Sequence, residues 1–140
     1  MSGKMKRILL VEAEPVLAEV TAFRLDLHGY SVETVGSADE ALRLTSTESF
    51  DIILMDLDLP GMGGHGLLDE FASNESTSTI PIMVLSADAD LDQVQKVVAK
   101  GAVDFLVVPF DPDALMEKVA NLVSRADENA KAKKKETVDS

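Results

Sequence analysis

The sequence predicts a three-layer α/β domain, in which a doubly wound parallel sheet of five strands is covered by helices on both faces. Strand-like apolar runs alternate along the chain with helix-like patterns, which gives five β–α units in succession. Several of these runs are apolar throughout, as expected for strands that are buried on both faces. The chain has 140 residues, of which 46% are apolar, enough for one domain with a substantial core.

The five predicted strands are short and differ in pattern. Residues 7–11 and 51–55 form continuous apolar runs, whereas 30–35 alternates like a half-buried strand. A fourth strand is expected over 80–85, with Pro81 at its start, where a missing N–H is tolerated. The last strand is expected over 103–108 and stops at a proline.

Helical patterns occupy the segments between these strands. Ser37 and Glu40 have the capping-box spacing that starts a helix. The glycine-rich stretch 61–66 is interpreted as a flexible loop, and a helix is expected over about 65–73. The other three helices each place apolar residues on one face: Val16, Val20, Phe23 and Leu27 in a helix ending near Gly29; Leu91, Val94, Val97 and Val98 in one stopping at Gly101; and Leu115, Val119, Leu122 and Ala126 in one opened by Pro112.

Charge and composition exclude several classes of function. The net charge is −12, and residues 8–126 carry 21 acidic against 6 basic side chains. Such a body repels phosphate backbones, so we expect no direct binding of nucleic acid. The absence of cysteine excludes disulfides, thiolate metal sites and cysteine nucleophiles. No apolar run approaches the roughly 18 residues of a membrane span, so no membrane contact is expected and a cytoplasmic protein is the simplest interpretation.

Carboxylates collect where the predicted strands end. The carboxyl ends of parallel strands share one edge of the sheet, which is where ligands bind in such folds. Two like charges about 4 Å apart repel by ~4 kcal/mol at an effective dielectric near 20. Such carboxylates must take up a proton, face water or bind a hard cation such as Mg²⁺. The polar residues at these ends are Glu12 and Glu14 after the first strand, Asp56 and Asp58 after the third, and Ser86 and Asp88 after the fourth.

Four segments in this order and spacing resemble the receiver domain of bacterial response regulators: "RILLVEAEP", "DIILMDLDLPGMGG", "PIMVLSA" and "GAVDFLVVPFDPDAL". The resemblance covers residues 5–126. It implies the flavodoxin-like strand order 2-1-3-4-5 and phosphoryl transfer from a sensor histidine kinase or phosphotransfer protein. It also implies a cis Val108–Pro109 bond, Asp56 as phosphoacceptor, Ser86 as the phosphoryl contact, Phe105 as the switch aromatic, and Mg²⁺ held by Glu12, Asp56 and the backbone carbonyl of Asp58.

The chain departs from the family pattern at two site positions. The family usually has a second acid directly after the first, and here that position is Ala13. It also has a lysine before the Pro-Phe pair, and here Val108 stands there. An ammonium would pair with the phosphoryl group as a compact charge, which valine cannot do. We therefore expect weak Mg²⁺ affinity and slow or absent phosphorylation.

Three other functions compete with a working phosphorelay receiver. A pseudo-receiver would keep the fold and signal by binding alone. An aspartate-nucleophile phosphohydrolase of the haloacid-dehalogenase type would use the Asp56-Leu57-Asp58 motif, although that family carries it on the first strand and also needs a lysine. A flavodoxin-like FMN protein is disfavoured because the acidic segment 12–15 would repel a phosphate.

The sequence leaves alternatives open for the partner surface and for the end of the chain. The fourth helix and fifth strand form the usual signalling face of the family, where a self-dimer or an effector is one interpretation. The alternative is that Leu91, Val94 and Val98 are simply core. Residues 127–140 are polar, have no core face, and are interpreted as a frayed helix end, a tail or a linker.

Overall fold

The computed structural model describes the backbone of residues 5–139 and the side chains of residues 5–132. Five strands alternate with five helices. The strands are β1 (Arg7–Val11), β2 (Ser31–Val35), β3 (Ile52–Asp56), β4 (Ile82–Ser86) and β5 (Asp104–Val107). The helices are α1 (Pro15–Leu27), α2 (Ala38–Thr45), α3 (Gly63–Ser73), α4 (Leu91–Ala99) and α5 (Pro112–Asp139).

The strands form one parallel sheet in the order β2-β1-β3-β4-β5. The predicted fold class and strand order are therefore confirmed. Leu10 of β1 lies opposite Leu54 of β3, and Leu54 lies opposite Met83 of β4. Because β1 and β4 flank β3, the carboxyl ends of these three strands meet in the middle of the sheet edge.

Two apolar clusters, one on each face of the sheet, make up the core. Because successive strand residues point to opposite faces, Leu9 joins one cluster while Leu10 joins the other. The first cluster packs the sheet against residues of α2, α3 and α4: Ala38, Ala41, Leu67, Leu68, Phe71 and Val97. The second packs it against residues of α1 and α5: Leu25, Leu115, Val119 and Leu122. These clusters give the three layers that the sequence predicts.

The apolar face of α1 points away from the core. An apolar stripe at this spacing ordinarily packs inward. Here α1 buries three other residues: Ala18, Thr21 and Leu25. The four stripe residues are instead exposed, at 66% for Val16, 45% for Val20, 62% for Phe23 and 67% for Leu27.

The fourth helix shows the same deviation. Val97 is buried and Val94 is half-buried, but Leu91 and Val98 are exposed. The expectation that Leu91 and Val98 belong to the core is therefore wrong, because α4 covers the sheet mainly through Val97. The face of α5 is as expected, with Leu115, Val119 and Leu122 buried.

Some element boundaries differ from those expected. The third helix begins at Gly63, two residues before the expected start, so most of the glycine-rich stretch is helical. Residues 127–139 continue α5 without a break, and the side chains of 128–132 are exposed. Ser140 lies outside the described residues. A functional division at residue 126 stays a prediction. None of the helices in the described chain has the length and hydropathy that crossing a bilayer requires.

Candidate functional site

The polar residues of three strand ends meet at the centre of the sheet edge. Asp56 is the last residue of β3 and lies opposite Leu85, one residue before Ser86 at the end of β4. On the other side of β3, β1 ends at Val11, so Glu12 is the first residue beyond it. The structure thus brings the predicted Glu12, Asp56 and Ser86 together.

Glu12 is a buried acid beside Asp56. Its side chain is 3% exposed. Oε2 accepts a hydrogen bond from the backbone N–H of Glu14 at 3.0 Å, while Oε1 is buried with no hydrogen-bond partner among the described residues. Burial, and then the neighbouring carboxyl of Asp56, raises the pKa of Glu12 from 4.5 to about 7. Near neutral pH the Glu12 carboxyl is therefore present in both its protonated and its ionised form.

Asp56 is held in place through one of its two oxygens. The backbone N–H of Asp58 donates to Asp56 Oδ1 at 3.0 Å. No N–H or hydroxyl of the described residues donates to Oδ2. The side chain is partly exposed at the strand end, and that of Asp58 is exposed. One carboxylate oxygen is thereby oriented by the main chain, and the second is available for a ligand or a reaction.

The loop after Asp56 is fixed by a close approach of α3. The N–H of Gly64 donates to the carbonyl of Leu57 at 3.0 Å. A Cβ at Gly64 would lie 2.5 Å from Leu57 Cα and 2.8 Å from its carbonyl oxygen. Only glycine fits this contact. This role of Gly64 was not predicted from the sequence, in which the run of glycines after Asp56 was the available signal.

Ser86 is almost fully buried, at 4% exposed. Its hydroxyl accepts a hydrogen bond from the backbone N–H of Asp88 at 3.1 Å. The hydroxyl hydrogen remains free to rotate toward an acceptor at the site. Ser86 is therefore a neutral donor at the strand end next to Asp56.

The fifth strand ends beside Ser86. The N–H of Val108 donates to the carbonyl of Ser86 at 3.0 Å, and the Val108–Pro109 bond is cis, as expected. The Val108 side chain is half-buried against the cluster under α1 and α5. Phe105 is half-buried against the opposite cluster, and it pairs with Val84.

No basic side chain of the described residues forms an ion pair with Glu12, Asp56 or Asp58. The ion pairs of the described residues lie elsewhere and are Lys6–Asp127, Arg7–Glu48, Lys100–Asp69 and Lys118–Asp104. The site is thus acidic. Repulsion between the carboxylates of Glu12 and Asp56 is relieved when Glu12 takes up a proton, when solvent screens the charges, or when a cation binds.

The donor set fits a loosely held hard cation. The unpartnered Oε1 of Glu12 is an oxygen ligand of the kind that Mg²⁺ prefers. Glu14 is not available, because both of its oxygens accept backbone N–H groups at the start of α1, from Val16 and Leu17. Across 5–132, no group of three or more His, Cys, Asp or Glu side chains is arranged to hold a metal. A cation would therefore depend on two carboxylates and main-chain oxygens.

A family model and two curated relatives match most of this chain. The response regulator receiver domain family matches residues 8–120. A probable transcriptional regulator of Cyanidium caldarium is 34% identical over 132 residues, which are 93% of this chain and 51% of the relative. The cell cycle transcriptional regulator CtrA of Caulobacter vibrioides is 30% identical over 126 residues, covering 90% of this chain and 54% of that protein. The chain thus spans about half the length of these curated relatives.

Solved structures of the same family have a similar fold. A response regulator from Chloroflexus aurantiacus superposes with a TM-score of 0.83 at 30% identity, covering 86% of this chain and 99% of that one. The receiver domain of a sensor histidine kinase from Pseudomonas aeruginosa, solved with magnesium coordinated in its active-site cleft, gives a TM-score of 0.80 at 30% identity. It covers 86% of this chain and 99% of that chain. With its strand order and its family match, the chain belongs to the response regulator receiver domain family.

Proposed function

We propose that this receiver accepts a phosphoryl group on Asp56, slowly, and so switches a protein-interaction surface. The observation that carries the proposal is the placement of Asp56 at the end of β3, with Oδ1 oriented by the Asp58 N–H and no backbone N–H of the described residues donating to Oδ2. An oriented carboxylate with one available oxygen can attack phosphorus and form an acyl phosphate. Catalysis then consists mostly of positioning and charge neutralisation.

Asp56 Oδ2 forms a bond to phosphorus while the bond from phosphorus to the donor breaks, which is P–N for a phosphohistidine and P–O for an acyl phosphate donor. The bonding pair leaves with the donor group. Ser86 can then donate its hydroxyl hydrogen to a phosphoryl oxygen, because that hydrogen is free of other acceptors. Mg²⁺ bound by Glu12, Asp56 and the Asp58 carbonyl would supply the neutralising charge.

Two features support slow transfer. Val108 occupies the strand end next to Ser86 with an apolar, half-buried side chain, so no ammonium reaches the phosphoryl oxygens there. Ala13 contributes no carboxylate beside Glu12. Because the pKa of Glu12 is raised to about 7, that ligand is partly protonated at neutral pH and holds a cation weakly.

The proposed donor is a cytoplasmic sensor histidine kinase or phosphotransfer protein. The proposed output surface is the face of α4 and β5, where Leu91, Val98 and Val107 are exposed and available to an effector or a second copy. Phe105 lies on β5 at this face, half-buried, and would change its packing on activation. Direct nucleic-acid binding by this domain is disfavoured by its acidic charge.

The same acidic, cation-poor edge favours a second candidate, an interaction module that signals without phosphate. It keeps the fold and the α4–β5 face but makes no use of Asp56. The aspartate-nucleophile phosphohydrolase is a remote third candidate, because the described residues include no basic side chain paired with the site carboxylates that could stabilise a leaving phosphate.

Intact mass spectrometry separates these candidates. The chain is incubated with Mg²⁺ and a small phosphodonor such as acetyl phosphate. We expect a slow mass gain of one phosphoryl group that is absent from Asp56→Ala, whereas Asp58→Ala retains it. No gain at saturating donor would favour the phosphate-independent module. Steady turnover of generic phosphate esters without a stable adduct would favour the phosphohydrolase.

A further inference from the structure

Helices α3 and α4 are joined by two contacts between polar side chains. His65 of α3 places Nε2 2.9 Å from Oε1 of Gln93 in the first turn of α4. The amide oxygen of Gln93 can only accept, so His65 Nε2 carries the hydrogen of this contact. One turn further along α3, both carboxylate oxygens of Asp69 accept from the ammonium of Lys100, at 2.8 and 2.9 Å. Because α4 runs away from the carboxyl edge of the sheet, the first contact lies near the candidate site and the second lies far from it.

These polar contacts matter because α4 buries little apolar surface. Of the α4 residues, all of which the structure describes, only Val97 is buried, whereas Leu91 and Val98 are exposed. A helix held by few apolar contacts opens locally at a low free energy. His65 and Gln93 are both half-buried, which shields their hydrogen bond from water. This hydrogen bond is therefore a substantial part of what fixes the start of α4.

A chain of hydrogen bonds runs from Gln93 back to the buried hydroxyl of Ser86. The N–H of Gln93 donates to Asp90 Oδ1 at 2.9 Å, and the N–H of Asp90 donates to Asp88 Oδ1 at 3.2 Å. The N–H of Asp88 in turn donates to Ser86 Oγ at 3.1 Å. Residues 87–90 are all exposed, so these hydrogen bonds, and not apolar packing, hold the loop between β4 and α4.

The other end of the same contact lies on a helix that is anchored beside Asp56. His65 directly follows Gly64, whose N–H donates to the carbonyl of Leu57 at 3.0 Å. Leu57 follows Asp56 and donates its own N–H to the carbonyl of Leu85 at 3.3 Å. The start of α4 is thus fixed to a turn of α3 that is itself fixed to the loop after the proposed phosphoacceptor.

We propose that His65 and Gln93 are positioning residues for phosphoryl transfer to Asp56. Their hydrogen bond fixes the first turn of α4, and through the connecting loop it fixes the oxygen of Ser86. The Asp88 N–H occupies one lone pair of that oxygen, so the hydroxyl hydrogen is left for a phosphoryl oxygen. A donor that is oriented in advance stabilises charge that develops during transfer. This inference rests on the proposed transfer at Asp56 and adds the residues that orient its neutral donor.

Substitutions of similar size separate the hydrogen bond from the packing around it. His65→Gln keeps an amide N–H at about the reach of histidine Nε2, whereas the side chain of His65→Asn is one bond shorter. Gln93→Met removes the acceptor and keeps the length of the side chain. Lys100→Met is the matched control, because it breaks the other contact between α3 and α4, a partly exposed ion pair of the kind that contributes little.

The rate of mass gain with Mg²⁺ and acetyl phosphate is the first measurement. We expect His65→Asn and Gln93→Met each to slow it about fivefold, the net value of one hydrogen bond, while His65→Gln and Lys100→Met stay close to the wild type. The double variant His65→Asn/Gln93→Met is expected to be no slower than either single variant, because both remove the same bond. Losses that multiply in the double variant would overturn the proposal. So would a loss in Lys100→Met as large as that in His65→Asn.

Hydrogen exchange at the amides of Asp88 and Gln93, followed by NMR without a phosphodonor, is the second measurement. Exchange is expected to accelerate about fivefold in His65→Asn and to keep its wild-type rate in His65→Gln and Lys100→Met. Unchanged exchange in His65→Asn would overturn the proposal, and so would faster exchange at an unchanged rate of phosphorylation. If the wild type gains no phosphate, the proposed transfer itself fails, and the exchange rates alone then decide whether the His65–Gln93 hydrogen bond fixes the loop that holds Ser86.

Discussion

The backbone N–H of Val108 donates to the carbonyl of Ser86 at 3.0 Å. This hydrogen bond holds Val108, the residue before Pro109, beside Ser86 and its buried hydroxyl. This contact ties the end of β5 to the end of β4 next to Asp56. A long side chain at position 108 would start from the strand end beside Ser86, which is the neighbour of the β3 end that carries Asp56. Valine there supplies no charge.

We expect Val108→Lys combined with Ala13→Asp to increase phosphorylation of Asp56. The lysine stem can lie along the apolar surface that Val108 now covers while its ammonium reaches the phosphoryl oxygens. The added carboxylate beside Glu12 supplies another cation ligand. One well-placed charged group contributes on the order of 10²-fold in rate. The rate of mass gain with Mg²⁺ and acetyl phosphate measures the effect.

Val108→Met with Ala13→Asp is the matched control, because methionine has the length of the lysine stem without its charge. It is expected to gain far less than the lysine variant. Equal rates in the two double variants, or no gain in either, would show that the missing cation is not what limits transfer.

Glu12→Gln is expected to change how stability depends on pH. The pKa of Glu12 in the folded chain is about 7, above its ordinary value of 4.5, mainly through burial and then through Asp56. Between these values the folded state binds more protons than the unfolded state, so stability falls as pH rises. Below pH 4.5 Glu12 is protonated in both states, so it causes no loss of stability. Above pH 7 the cost of ionising the buried carboxyl is fully present, on the order of 3 kcal/mol at most.

Urea unfolding of both proteins from pH 4.5 to 8 measures this effect. The free energy of unfolding of Glu12→Gln should rise relative to that of the wild type as pH rises through 7, because glutamine stays neutral. Glu33→Gln, at an exposed position, gives the baseline for removing one negative charge from an acidic chain. A pH-independent difference between Glu12→Gln and wild type would mean that Glu12 ionises normally.

The fold could be predicted from the sequence because its signals are local and agree with one another. Continuous or alternating apolar runs predicted the strands, and the resemblance of four segments to the receiver family implied the strand order and the cis bond before Pro109. The orientation of α1 could not be predicted in this way. Its apolar stripe is more hydrophobic than its core face, which is built from the small Ala18 and Thr21 together with Leu25. Spacing therefore identified the helix but not the side that packs on the sheet.

The site was predictable in position but not in its electrostatics. Strand ends gave Glu12, Asp56 and Ser86, because parallel strands share one carboxyl edge. The raised pKa of Glu12 depends on burial and on an oxygen left without a partner, which requires three-dimensional contacts. The capping role of Glu14 was likewise hidden, since an acid after a strand fits a cation ligand and a helix cap equally well.

Gly64→Ala is expected to destabilise the fold by about 2 kcal/mol or more and to slow phosphorylation. The added methyl group would overlap the main chain of Leu57, between Asp56 and Asp58, and would push α3 away from the site. In Gly66→Ala, in the same helix, the added Cβ would lie 3.1 Å from Met62 Cβ and clear of the main chain of Leu57. That control should cost much less stability than Gly64→Ala, because a shift of a few tenths of an ångström relieves the contact and alanine favours helix over glycine by roughly 1 kcal/mol. Urea unfolding midpoints compare the two, and equal effects would contradict the close contact at Gly64.

Thr21→Val is expected to stabilise the protein. Thr21 is 1% exposed within α1, and its hydroxyl has no hydrogen-bond partner among the described residues. A buried hydroxyl without a partner costs on the order of 1 kcal/mol or more, and valine keeps the shape while removing it. Thr21→Ser, which keeps the hydroxyl and loses the methyl group, should destabilise. Urea unfolding at unchanged m-value measures both. A loss of stability in Thr21→Val would mean that the hydroxyl is satisfied by a buried water bridging it to the main chain of α1.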